Sequence, residues 1–101
     1  MASVLYINAS PKGEASSCGR IAGAFLDAYL AAHPGDEVRS LPLFDYALPE
    51  FGRTEAEAKF APLYGARRSA AQEEAWARIL HEIEIFRAAD KIVLATPMWN
   101  L

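Results

Sequence analysis

The sequence predicts an α/β domain with a doubly wound parallel sheet and strand order 2-1-3. Three observations carry that prediction. Two short apolar runs, inside Ser3–Asn8 and Lys91–Ala95, lack the alternation of a half-exposed strand and suit strands covered on both faces. Two longer segments repeat apolar residues at helical spacing. The two kinds of segment alternate along the chain, which is the order that a parallel sheet with crossover helices requires.

Val4, Leu5, Tyr6 and Ile7 make the first strand, and Pro11 and Gly13 in "ASPKGEASS" end it. The spacing then predicts a helix from about Ser17 to about Ala32. Ile21, Phe25 and Ala28 form its apolar stripe, with Ala22, Leu26, Tyr29 and Leu30 beside it. "HPGD" stops this helix. Glu37–Leu43 follows as a short strand at a sheet edge, where Pro42 is tolerated. Residues 44–68 hold aromatics, Pro and Gly without a clear period, and predict only a short helix over Thr54–Phe60. The strongest helix begins after Ser69, with Gln72 placed to complete a capping box. Trp76, Ile79, Leu80, Ile83 and Phe86 mark its apolar side. Lys91–Ala95 is the third strand, and residues 96–101, "TPMWNL", form the loop after it.

Composition narrows the function. Apolar residues are 52% of the 101 and charged residues 23%, which is a globular balance. A formal net charge of -3 gives no electrostatic pull toward nucleic acid or an anionic membrane. The single cysteine, Cys18, rules out an intrachain disulfide and a thiolate zinc site, and it fits a reducing, cytoplasmic setting. No apolar run approaches the ~20 residues that span a bilayer.

Two loops follow the carboxyl ends of strands, where doubly wound sheets bind ligands. In the first, Ser10, Ser16 and Ser17 offer hydroxyls around a helix N-terminus, Gly13 allows the chain to turn back, and Lys12 adds charge. The same serines also suit ordinary helix capping. In the second, Pro97 fixes a turn, Met98 and Trp99 suit the face of a flat ring, and Asn100 suits its polar edge. Packing in a core is the other use of Met98 and Trp99. With strand order 2-1-3 the two loops share one edge, so a ligand with a phosphate tail and a flat ring would bridge them. Flavin mononucleotide (FMN) is such a molecule. No P-loop or dinucleotide fingerprint is present.

"ASPKGEASS" after an N-terminal strand, and "AADKIVLATPMWN" after a long helix, resemble the FMN-dependent NADH-azoreductases, a branch of the flavodoxin-like quinone reductases. The Pro-Met-Trp-Asn stretch is the most specific element. The resemblance implies a flavodoxin-like fold, non-covalent FMN, a homodimer, and two-electron ping-pong transfer from NAD(P)H to quinones or azo compounds. It implies that Ser10, Ser16, Ser17 and Cys18 stand at phosphate-binding positions. Met98, Trp99, Asn100 and Leu101 stand at positions lining the isoalloxazine ring. Cys18 departs from the family's usual hydroxyl residue, and a thiol is a weak donor. The chain matches the N-terminal half of the family pattern, so strands four and five are expected to be missing and residues 1–101 to form part of one FMN-binding domain. His33 and His81 read as structural, and no catalytic acid or base stands out. A non-catalytic interaction module and a flavodoxin-like electron carrier are the alternative readings.

Overall fold

The computed structural model describes residues 1–98, so Trp99, Asn100 and Leu101 lie outside the described residues. The chain divides into two compact units, one built from Met1–Ala47 with the segment from Ala88 onward, the other from Leu48–Arg87.

The first unit holds the sheet. Strand β1 is Ser3–Asn8, β2 is Glu37–Pro42 and β3 is Lys91–Ala95. All pairings are parallel, and the order is β2-β1-β3, as the sequence predicts. The apolar run of β1 takes the central place. Val4 and Leu5 are 1% and 2% exposed, and each contributes about 1.5–3 kcal/mol through burial. The expected edge strand is one: β2 pairs only with β1 among the described residues, and Pro42 is its last residue. Leu43, expected in this strand, instead opens a short 3₁₀ turn. Pro42 has no N–H with which to continue a ladder.

Helix α1, Ser17–Ala32, packs on one face of the sheet. Its contact stripe differs from the expected one. Ala22 and Leu26 are buried with Tyr6 and Ala95, whereas Ile21 and Phe25 are 72% and 53% exposed. Ala22 and Leu26, rather than Ile21 and Phe25, are the residues that meet Tyr6 and Ala95 of the sheet. Ile21 and Phe25 stand beside β3, whose Ile92 and Leu94 are also largely exposed. Apolar spacing alone marked both stripes and could not choose between them.

The second unit contains α2, Arg53–Phe60, and α3, Ala70–Arg87. Glu55 accepts from the Gly52 N–H at 2.9 Å to start α2. The capping box at α3 forms as predicted: Gln72 N–H donates to Ser69 Oγ at 3.2 Å, and Ser69 N–H donates to Gln72 Oε1 at 3.0 Å. The expected apolar side of α3 is only partly covered. Ala75 and Ile85 are the buried positions, while Leu80, Ile83 and Phe86 are 42–46% exposed. Among the described residues, no helix is long and apolar enough to cross a membrane.

Candidate functional site

The loop between β1 and α1 is built by short-range hydrogen bonds. Gly13 adopts a left-handed φ of 59°, open to a residue without Cβ. A 3₁₀ turn, Gly13–Ala15, follows and leads into the helix. Ser16 is the N-cap of α1. Its hydroxyl accepts from Gly19 N–H at 2.9 Å and donates to the Gly13 carbonyl at 2.7 Å. The capping use of this serine is therefore real, and its proton is already engaged.

Gly19 explains how the turn lies so close to the helix. A Cβ on Gly19 would stand 2.6 Å from the Gly13 carbonyl oxygen and 2.8 Å from Glu14 Cα. Both are backbone atoms, so only glycine fits this approach.

A cavity of about 420 Å³ opens over the helix N-terminus. Ser10, Lys12, Ser16, Ser17, Cys18 and Pro97 are among its lining residues. Loop one and the loop after β3 thus meet at one edge of the sheet, joined also by the Ala9 N–H bond to the Ala95 carbonyl at 2.8 Å. Ser10 is buried, and among the described residues its hydroxyl makes no hydrogen bond. Ser17 is exposed, and Cys18 is half-buried. In α1 the Gly19 and Arg20 N–H groups are taken by Ser16. The N–H groups of Ser17 and Cys18 head the helix, where no intrahelical acceptor exists. Two backbone donors, the helix dipole and the hydroxyls of Ser10 and Ser17 make this a place for an oxyanion. Lys12 and Arg20 on the wall add positive charge.

Met98 is 93% exposed and does not line this cavity. Trp99, Asn100 and Leu101 lie outside the described residues. Beside the cavity, a hollow of about 500 Å³ runs between α1 and β3, lined by Cys18, Ile21, Phe25, Ile92, Leu94 and Thr96 among others. Cys18 borders both spaces. Neither histidine lines either space: His33 Nδ1 sits 3.1 Å from the Tyr29 carbonyl, and its ring stacks on Tyr29 at 4.4 Å.

Sequence reasoning passed over three residues behind this site. Asn8, Glu14 and Gly19 hold the loop but touch no wall of the cavity. An asparagine ending an apolar strand and a glycine in the first turn of a helix were their only marks in the sequence.

A parallel sheet of order β2-β1-β3 with a cavity and a helix N-terminus at its carboxyl edge has the layout of the open, doubly wound α/β class. The chain belongs to the family described as the flavodoxin-like fold, whose model matches residues 2–101. It is 48% identical over 100 residues to an FMN-dependent NADH:quinone oxidoreductase of Nitratidesulfovibrio vulgaris, covering 99% of this chain and 48% of that protein. Over 100 residues it is 39% identical to FMN-dependent NADH:quinone oxidoreductase 9 of Burkholderia lata, with 99% and 48% covered. In structure it resembles an azoreductase from Bacillus anthracis with a TM-score of 0.83 and 31% identity, covering 99% of this chain and 49% of that one. The chain spans about half the length of the curated relatives it matches.

Proposed function

We propose that residues 1–101 are the N-terminal part of a single flavodoxin-like domain that binds FMN. The domain would belong to an oxidoreductase passing two electrons from NAD(P)H to quinones or azo compounds by a ping-pong mechanism. The observation that supports it is the shared cavity: Ser10 of the first loop and Pro97 of the last line the same space. The names of the relatives point the same way.

The residues present fit the phosphate end of that cofactor. A phosphate accepts hydrogen bonds and donates almost none near neutral pH, so its site needs donors. Ser17 and Cys18 supply backbone N–H groups, and Ser10 and Ser17 supply hydroxyls. Ser16 contributes through the cap, because its proton goes to Gly13. Cys18 contributes its N–H more than its thiol. Lys12 and Arg20 offset the phosphate charge. Met98, Trp99, Asn100 and Leu101 carry the ring contacts in this reading, on the strength of the sequence motif.

Bound FMN would supply the redox chemistry. This chain's part is to hold and orient. The anchored phosphate would fix the ring's distance from the first loop, and the loop after β3 would set its plane. Neither histidine is placed to move a proton at the cavity. The same reading includes a homodimer and a cytoplasmic enzyme.

Titration of the purified chain with FMN, followed by flavin fluorescence and absorbance, tests this. The expected result is a yellow, one-to-one complex. A colourless protein that takes up no flavin would overturn the reading and favour an interaction module using the exposed β3 edge.

A further inference from the structure

Asn8 is 3% exposed and ends β1 directly under the loop. Its side chain uses every group it has. Oδ1 accepts from Ser10 N–H at 3.0 Å. Nδ2 donates to the Tyr6 hydroxyl at 3.2 Å and to Glu14 Oε1 at 3.3 Å. Only a primary amide combines an acceptor with two donors in this shape.

Two consequences bear on the cavity. Ser10, whose hydroxyl faces no other partner among the described residues, is fixed at its backbone by Asn8. Glu14, the sole acid between Ala9 and Cys18, is drawn toward Asn8 and Tyr6. Lys12 and Ala15 line the cavity, but Glu14 between them does not. A carboxylate turned the other way would repel a bound phosphate. Burial first, and the Glu14 carboxylate second, push the Tyr6 phenol above its ordinary 10.0, which keeps it neutral beside that acid.

We propose that Asn8 is a positioning residue for anion binding: it anchors Ser10 and holds the Glu14 carboxylate off the cradle. This rests on the FMN reading above and adds to it a residue that touches no ligand.

The test compares FMN with riboflavin, which lacks the phosphate, on the purified full chain. The wild-type protein should bind FMN more tightly than riboflavin. Asn8→Ala should shrink that preference about tenfold, the scale of losing the neutral bond to Ser10 N–H and the charge-assisted bond to Glu14, while riboflavin affinity holds. Adding Glu14→Gln to Asn8→Ala should restore part of the preference, because the repelling charge is gone. A purely structural role would lower both affinities together and show no rescue, and that result overturns the proposal. Unchanged preference in Asn8→Ala overturns it too, leaving the FMN reading intact. A wild-type chain that binds both flavins equally removes the phosphate cradle and this proposal but not FMN binding, and one that binds neither removes the FMN reading as well. If Asn8→Ala does not fold, Glu14→Gln alone decides. Glu14 is exposed, and with its charge already diverted the variant should change FMN affinity less than about twofold. A large gain would mean that Asn8 does not divert it.

Discussion

The Lys91 ammonium at the start of β3 donates to the Tyr29 hydroxyl at 2.6 Å, a contact between residues 62 positions apart. The Tyr29 hydroxyl in turn donates to Asp36 Oδ2, and Asp36 Oδ1 accepts from Ala2 N–H at 2.8 Å. This chain ties α1, β2, β3 and the N-terminal segment together at the end of the sheet away from the cavity. The Ala2 N–H bond first, and the Tyr29 hydroxyl second, hold the Asp36 carboxyl below its ordinary 3.8. The bond to Tyr29 lifts Lys91 above its ordinary 10.5.

These shifts predict stability lost at both pH extremes. A carboxyl with a depressed folded value stabilises above 3.8 and loses that contribution as pH falls through the lower folded value. An amine with a raised folded value stabilises below 10.5 and loses it as pH rises through the higher one. Tyr29→Phe removes the shared hydroxyl. The variant should unfold at lower urea than wild type at pH 7, and the gap should narrow below pH 3.8 and above pH 10.5. A gap of constant size across pH would show that these charges are not coupled to folding.

Gly19→Ala sets two effects against each other. Alanine favours a helix over glycine by about 1 kcal/mol. The added Cβ, however, would meet the Gly13 oxygen at 2.6 Å and Glu14 Cα at 2.8 Å, neither of which can swing aside. Overpacking of this kind costs about 1–3 kcal/mol, so the clash should win. Urea unfolding should show a net loss, and FMN affinity should fall as the loop is pushed off the helix. A more stable variant that binds FMN as wild type would refute the close-approach argument.

What the sequence disclosed follows from how local each signal is. Val4–Ile7 and Lys91–Ala95 were readable as strands from their continuous apolar runs. The first is buried throughout, whereas Ile92 and Leu94 of the second are largely exposed, so the two-sided cover expected of it is not met among the described residues. The Ser69–Gln72 cap was readable because both partners lie within one turn. The contact stripe of α1 was not, since Ile21–Phe25 and Ala22–Leu26 have the same spacing and only the sheet distinguishes them. At the site, the serines suited both a helix cap and an anion cradle by chemistry, and Ser16 forms the cap. The support from Asn8, Glu14 and Gly19 was silent, because its meaning depends on a loop folding back over the helix.

Ser16→Ala probes the cap directly. Loss of an N-cap hydroxyl costs about 0.5–2 kcal/mol. Here the same oxygen also holds the Gly13 carbonyl, so the upper part of that range is expected. Ser16→Asp should recover the cap to Gly19 but not the donation to Gly13, and it would bring a negative charge to the cradle. Thermal unfolding should therefore rank wild type above both variants, while FMN binding should suffer more in Ser16→Asp than in Ser16→Ala. The reverse order of binding would argue against an anion at this site.

Cys18→Ser separates packing from ligand contact. The Cys18 side chain packs against the cluster of Tyr6, Ala22, Leu26 and Ala95, and it also borders the cavity. A hydroxyl is smaller and more polar, so the core should lose a little stability. At the cavity the hydroxyl is a better donor than the thiol, and one added neutral hydrogen bond brings about 0.5–1.5 kcal/mol. That corresponds to roughly a two- to tenfold lower FMN dissociation constant. Riboflavin affinity should not follow, since the gain belongs to the phosphate. Paired titrations with the two flavins, beside a urea curve for each protein, resolve the effects. Weaker FMN binding at unchanged stability would mean that the thiol itself contacts the ligand, and that position 18 serves a purpose other than phosphate donation.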